Sequence, residues 1–220
     1  MGSPATKIRV VYPVPMTAAA PEISAEQTAS DRATLAKRYQ ITKPYVLYVG
    51  VAFPHKNLTG LVAAWKKVTA EKNPPYQLVL VGKKNYFYEQ LLQGPLQGSG
   101  QNIIYTDFVS DAELPMLYRN AALYVFPSLY EGFGLPALEA LRYGVPVVSS
   151  NRTALPEVLQ DAALYCDAAN PATLAEAIWR GLTDPALRAK LIAAGHKVYP
   201  QYQSAQLAQK TWEIYQNSVY

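Results

Sequence analysis

Residues 123–140 read Leu-Tyr-Val-Phe-Pro-Ser-Leu-Tyr-Glu-Gly-Phe-Gly-Leu-Pro-Ala-Leu-Glu-Ala. The apolar residues Leu123 to Phe126 form a continuous run, not an alternating one. Such a run belongs to a strand covered on both faces, as in a parallel sheet. Pro127 closes the run, a glycine-rich loop follows, and a helical pattern starts near Leu135. Pro136 suits the first helical turn, where its missing N–H has no partner to lose. Strand, loop and helix in this order are the unit of a doubly wound sheet.

The same alternation runs through the chain. Strands are expected at Ile8–Tyr12, Tyr45–Val49, Gln77–Val81, Asn102–Thr106, Leu123–Phe126, Val147–Ser149 and Ala163–Tyr165. Helical patterns lie between them at about 57–72, 85–93, 111–120 and 135–143. Pro171 and Pro185 open two further helices, and a last one spans Ser204–Ser218. Right-handed βαβ units of this kind give an α/β fold, a doubly wound, Rossmann-like parallel sheet. Residues 1–220 are expected to form one domain. Residues 1–43 read as a linker-like N-terminal segment, because Pro13 to Lys43 is rich in proline and alanine, with a short helical stretch near Asp31–Tyr39.

Half of the 220 residues are apolar, enough for one substantial core, and only 16% are charged, which argues against a disordered tail or a coiled coil. The net charge of +4 fits anionic ligands. The lysine pairs Lys66-Lys67 and Lys83-Lys84 are scattered, so no basic stripe for nucleic acid is visible. The single cysteine, Cys166, excludes an internal disulfide and suits a reducing, cytoplasmic compartment. It follows the apolar run Ala162 to Tyr165 and reads as a core residue. No apolar stretch approaches the ~20 residues of a membrane span.

Two carboxylates frame the loop before Leu135. Glu131 precedes the helix and Glu139 lies in its second turn. A carboxylate accepts hydrogen bonds from vicinal hydroxyls such as those of a sugar or a ribose. Gly132 and Gly134 permit backbone angles and close approaches that side chains block. The N–H groups of Gly134 and Leu135, with the positive end of the helix dipole, suit a phosphate. On spacing alone, an ordinary loop residue and a solvated helix residue remain equally open. Asp111-Ala112-Glu113 looks acidic, but Ser110 and Glu113 have capping-box spacing, so no metal site is expected there. Asn57 is expected to cap the helix after Lys56. His196 reads as solvated. His55 adjoins Lys56 and is a candidate to face a ligand, while Arg152 and Thr153 follow a strand end on the cleft side.

Glu131-Gly132-Phe133-Gly134-Leu135-Pro136, with Glu139 after seven intervening residues, resembles the paired-glutamate motif of retaining glycosyltransferases with the two-Rossmann-domain GT-B fold. The closest group is family 4, GT4, whose domain is often labelled glycosyltransferase group 1. The resemblance extends to Tyr48-Val49-Gly50, Pro54-His55-Lys56-Asn57, Leu78 to Gly82, Tyr143 to Val148 and Leu155-Pro156-Glu157. It implies the C-terminal, donor-binding half of a GT-B enzyme. Glu131 would hold the donor sugar, Glu139 the ribose hydroxyls, and Lys56 the diphosphate. Gly50, His55, Gly132, Phe133, Gly134 and Leu135 would line the donor site. The base would lie against Asp107-Phe108-Val109. Glu131 and Lys56 are the implied catalytic pair, since charge develops on the leaving diphosphate. The resemblance implies no metal and no cofactor beyond the nucleotide-sugar donor.

Two departures stand out. Many relatives carry an arginine just after the first-strand glycine, where this chain has Gly50-Val51-Ala52; His55, Lys83 and Arg152 are the candidate substitutes. The family also supplies its acceptor site and a key histidine from an N-terminal domain, and Ile8 to Pro13 resembles the strand that follows the interdomain linker. The expected partners are therefore a nucleotide sugar or nucleoside diphosphate and an N-terminal acceptor-binding domain, fused or separate. Trp212, Tyr215 and Tyr220 on the last helix are candidates for self-association. The implied reaction transfers a hexose, from GDP-mannose first and a UDP-sugar next, to a glycan or lipid acceptor in polysaccharide biosynthesis. Its place would be the cytoplasm, peripheral to the inner face of a membrane in the full enzyme. Two alternatives stay open: a nucleotide-binding module that turns nothing over alone, and half of a related GT-B epimerase.

Overall fold

The computed structural model describes residues 9–15, 24–97 and 102–218. Six strands, β1 (Tyr45–Val49), β2 (Gln77–Val81), β3 (Ile103–Tyr105), β4 (Leu123–Phe126), β5 (Val147–Ser150) and β6 (Ala163–Cys166), form one parallel sheet in the order β3-β2-β1-β4-β5-β6. This is the Rossmann strand order. Every side chain of β2, β4 and β5 is buried, which is why their sequences are continuous and not alternating.

The helices are α1 (Ala25–Tyr39), α2 (Leu58–Lys72), α3 (Tyr86–Gln93), α4 (Leu114–Arg119), α5 (Leu135–Arg142), α6 (Leu155–Leu159), α7 (Pro171–Thr183), α8 (Pro185–Val198) and α9 (Ser204–Ser218). Helix α2 buries Leu58, Leu61, Val62, Trp65 and Val68, a single face at three- and four-residue spacing, and it packs against α7. Each of those fully covered aliphatic side chains contributes roughly 1.5–3 kcal/mol. The Trp65 indole N–H donates to the Asn102 carbonyl at 3.2 Å, so its polar end is satisfied too. Caps fix several helix starts. Asn85, Asn170 and Asp184 accept from the N–H groups of Tyr88, Ala172 and Leu187 at 3.0, 2.9 and 3.0 Å.

Four expectations need correction. The strand at Ile8–Tyr12 does not form: Ile8 lies outside the described residues, and 9–15 have no regular structure. Pro13 and Pro15 donate no N–H to a ladder, and Val10 is exposed. The segment read as linker-like carries the 15-residue α1, not a short stretch. Its Leu35 is buried, and its buried Asp31 accepts from Arg119, Asn120 and Gln27, so α1 is pinned to α4. Burial pushes the Asp31 carboxyl up, but those bonds outweigh it and hold the carboxyl below its ordinary range.

The other two concern caps. Helix α4 starts at Leu114 and not at 111, because the Ser110 hydroxyl donates to the Glu113 carboxylate at 2.7 Å and caps no helical N–H. Asn57 does stand before α2, but in the left-handed region (φ 57°) with no capping bond from its side chain. Its amide reaches elsewhere, as described below. Among the described residues, no helix is long and apolar enough to cross a membrane.

Candidate functional site

The chain leaves β1 toward β2 and leaves β4 toward β5, in opposite directions along the sheet. The carboxyl ends of these two neighbouring strands mark the switch point, whose crevice is the place where doubly wound sheets bind ligands. Two loops flank it: Gly50 to Asn57 after β1, and Pro127 to Gly134 after β4.

Several bonds lock the loops together. The Leu129 N–H donates to the His55 carbonyl at 2.7 Å. The Asn57 amide donates to the carbonyls of Pro127 (3.3 Å) and Ala168 (2.7 Å). Across the crevice the Lys56 ammonium donates to Glu131 Oε1 at 2.5 Å. These two side chains are only 18% and 10% exposed, so their charges meet with little solvent screening. The Lys56 ammonium also stands 5.7 Å from the centre of the Phe126 ring. The Glu131 N–H donates to Thr153 Oγ1 at 3.0 Å, and Thr153 itself is held at φ 55°.

Glu139 lies one turn into α5, half-buried beside Tyr118 of α4 and Arg142 of its own helix. Burial raises its carboxyl above the ordinary glutamate range, and Tyr118 and Arg142 only partly offset this. The Tyr124 phenol, fully buried on β4, feels both carboxylates. Burial first and then Glu139 push its pKa far up, and Glu131 adds to the push. Tyr124 in turn packs against Tyr118, the neighbour of Glu139, with ring centres 5.7 Å apart.

Gly134 begins α5 at φ 104°, and a Cβ there would stand 2.8 Å from Leu155 Cδ2. That position demands glycine. Pro136 has no N–H, and the Ala137 and Leu138 N–H groups donate to the Gly134 carbonyl at 3.0 and 3.4 Å, so the donors that the start of α5 can turn to a ligand are the N–H groups of Gly134 and Leu135. Gly132 makes no such demand: it is exposed, and a Cβ there meets nothing within 4 Å. The steric requirement expected of both glycines belongs to Gly134 alone. Gly50 is braced from beneath. The Tyr88 hydroxyl donates to its carbonyl at 2.9 Å, and Gly82 passes so close that a Cβ would stand 2.0 Å from that oxygen.

The remaining sequence-derived residues fall in different surroundings. Phe133 and Leu135 are half-buried at the loop and helix start. His55 is exposed and stacks on Phe53, with ring centres 5.9 Å apart. Phe108 is exposed beyond β3 while Val109 is buried, so of the two only Phe108 presents its side chain to solvent. The Asp107 carboxylate shapes that turn by accepting from the N–H groups of Lys84 (2.7 Å) and Phe108 (2.8 Å). Of the candidate substitutes for the missing arginine, Arg152 pairs with Asp167 at 3.2 Å and Lys83 is exposed after β2.

With crevice, cation, paired glutamates and helix start in place, known proteins can be compared. Residues 31–198 match the family described as glycosyl transferases group 1. The chain belongs to this family. It is 38% identical over 179 residues to O-antigen chain mannosyltransferase B of Escherichia coli, a match covering 80% of this chain and 45% of that protein. It is also 38% identical over 143 residues to the serotype-specific mannosyltransferase WbdA of Escherichia coli, covering 63% of this chain and 17% of that protein. The chain thus spans less than half the length of these relatives. Among solved structures, sucrose-phosphate synthase from Thermosynechococcus elongatus superposes with a TM-score of 0.71 at 29% identity, covering 86% of this chain and 48% of that one. The fold of this group 1 chain is accordingly the Rossmann-like half of GT-B glycosyltransferases that its sequence resembles.

Several site residues of this group 1 domain escaped sequence reading. Thr153 was placed near the cleft but not as the acceptor for the Glu131 N–H, and its left-handed backbone gives no sequence signal. Tyr118, beside Glu139, lies in a stretch whose periodicity indicates only a helix. The brace from Tyr88 of α3 to Gly50 joins residues 38 apart in the chain, a pairing that only the folded sheet produces.

Proposed function

We propose that this chain is the nucleotide-sugar-binding unit of a retaining, metal-independent hexosyltransferase, with GDP-mannose as the favoured donor and a UDP-sugar next. The observation that carries it is the Lys56–Glu131 pair at 2.5 Å, in the loops just before α5, with half-buried Glu139 one turn into that helix. A nucleoside diphosphate needs a cation and N–H donors at its phosphates, and Lys56 and the start of α5 supply both. Glu131 accepts from hydroxyls of the hexose and Glu139 from the vicinal hydroxyls of the ribose. As the sugar–phosphate bond breaks, negative charge grows on the departing diphosphate. Lys56 and the helix N–H groups, already oriented, stabilise that charge more than the ground state. Phe108 and the Val109 backbone form the shelf for the base. The unit needs no resident cofactor. The mannosyltransferase names of the relatives support mannose as the sugar.

The acceptor, a glycan or lipid, and a catalytic histidine are assigned to an N-terminal domain. The exposed Trp212 and Tyr215 of α9 are the face assigned to that domain, or to a second copy in its absence. The working place is the cytoplasmic side of a membrane. Calorimetry with GDP, UDP, ADP and GDP-mannose tests the donor site, and no heat with any of them removes it. With the full-length protein, Glu131→Ala abolishes mannose transfer; transfer at the unaltered rate overturns the assignment. A second reading is a module that binds nucleotide without turnover, since the residues placed at the crevice are assigned to the donor alone. It predicts nucleotide heat with no transfer alone.

A further inference from the structure

Phe133 is flanked by two glycines, so its ring is the only side chain with which residues 132–134 can grip the rest of the protein. That ring closes a triangle. Its centre lies 5.8 Å from Tyr12 and 5.6 Å from Tyr202, which are themselves 5.8 Å apart. The contact with Tyr202 is edge-on, at 77°, a favourable aromatic arrangement. Neither tyrosine is loose. The Tyr202 hydroxyl donates to the Val158 carbonyl at 3.0 Å, and the Tyr12 hydroxyl donates to Glu157 Oε1 at 2.6 Å. Both acceptors lie on α6. The same helix provides Leu155, whose Cδ2 sits 2.8 Å from where a Gly134 Cβ would be, and it follows Thr153, which accepts from the Glu131 N–H. The loop is thus held at Glu131, at Phe133 and at Gly134, each time with reference to α6.

We propose that Tyr12 and Tyr202 are positioning residues that fix the Glu131–Gly134 loop through the ring of Phe133, and so set the placement of Glu131 for the donor hexose. The last step rests on the proposed donor-binding role of Glu131; the clamp itself does not. Tyr12 comes from the irregular segment 9–15 and Tyr202 from the 3-10 turn Tyr199–Tyr202 just before α9. Two stretches remote in sequence from the crevice therefore govern its geometry.

The test uses Tyr12→Ala, which removes the ring, and Tyr12→Phe, which keeps the ring and loses only the bond to Glu157. Tyr12 belongs to no strand or helix, so neither variant threatens the sheet. Hydrogen exchange followed by mass spectrometry reads the Glu131–Leu135 amides, with β4 as internal control. Tyr12→Ala speeds exchange in the loop by about two- to twelvefold, the factor equivalent to one aromatic pair. Tyr12→Phe has a smaller effect, and β4 is unchanged. In calorimetry on the full-length protein, Tyr12→Ala lowers the affinity for GDP-mannose by a similar factor relative to GDP, and Tyr12→Phe largely restores the ratio. Loop exchange unchanged in Tyr12→Ala overturns the clamp. Faster loop exchange with an unaltered GDP-mannose to GDP ratio overturns the positioning role. A wild-type protein that binds neither ligand refutes the donor-site reading and with it the positioning step, while the exchange data still decide the clamp.

Discussion

Replacing Lys56 by methionine keeps most of the side-chain volume and deletes its charge, leaving the Glu131 carboxylate, 10% exposed, without its ion-pair partner. At 2.5 Å and an effective dielectric of about 20, the gross attraction is about 7 kcal/mol. Withdrawing each ion from water opposes this by several kcal/mol. The net worth of a charged hydrogen bond is then about 1.5–3 kcal/mol. A double-mutant cycle with Lys56→Met and Glu131→Gln is expected to give a coupling of about 2 kcal/mol. Lys56→Met alone costs more than the double variant, since only the single leaves a buried carboxylate unpaired. Urea unfolding of the four proteins supplies all of these numbers. A coupling below about 0.5 kcal/mol, the value of a surface pair, refutes the picture of a low-screening pair across the crevice.

Glu139→Gln tests the raised carboxyl of α5. A folded pKa above the unfolded one means that stability falls as pH rises through that window, so the variant has a higher Tm than wild type at neutral pH and a flatter Tm–pH curve, with weaker GDP binding in calorimetry. Asp31→Ala leaves Arg119 partly buried without its carboxylate and is expected to cost about 3–5 kcal/mol in urea unfolding; in wild type, the Asp31 contribution is lost as pH falls below the ordinary aspartate range, because its folded pKa is depressed. Gly134→Ala places a methyl 2.8 Å from Leu155 Cδ2 at φ 104° and costs about 1–3 kcal/mol. Leu155→Ala itself opens a core cavity, so the comparison is made within that background: there the clash is absent but the backbone strain stays, and denaturation shows Gly134→Ala costing less than in wild type but more than nothing.

The sheet was legible because its strands are covered on both faces. A run such as Gln77–Val81, with all five side chains buried, has little alternative to a central parallel strand. Helix α2 was equally plain from one repeating apolar face. At the chain's start the same logic failed. Val10 and Val11 look strand-like, but the prolines after them deny the ladder its donors, and Val10 stays exposed. Helix α1 was underestimated because what secures it is the buried Asp31 held by Arg119, 88 residues away. In the site, Glu131 and Glu139 were singled out as carboxylates around a helix start, and Lys56 by the family resemblance. Their surroundings were not, since Thr153, Tyr118 and the Asn57 amide act through the three-dimensional meeting of loops. Asn57 shows the limit well. Its residue type and place both suggest a helix cap, yet its amide is drawn to two carbonyls on other strand ends.

The strand order carries a kinetic consequence. Strands β1, β2 and β3 are successive in the chain and neighbours in the sheet, and so are β4, β5 and β6. The seam between these halves, Val46 against Leu123 and Leu47 against Tyr124, joins residues from far apart in the chain. Long-range parallel pairing closes slowly, because the entropy of the intervening loop must be overcome before any contact forms. Each half can zip up first, leaving β1 and β4 with bare edges that other chains can capture. Pulse-labelled exchange during refolding should show amides at this seam gaining protection last. The strands that open the crevice are then also the ones most exposed to misassembly, and refolding yield should fall with protein concentration.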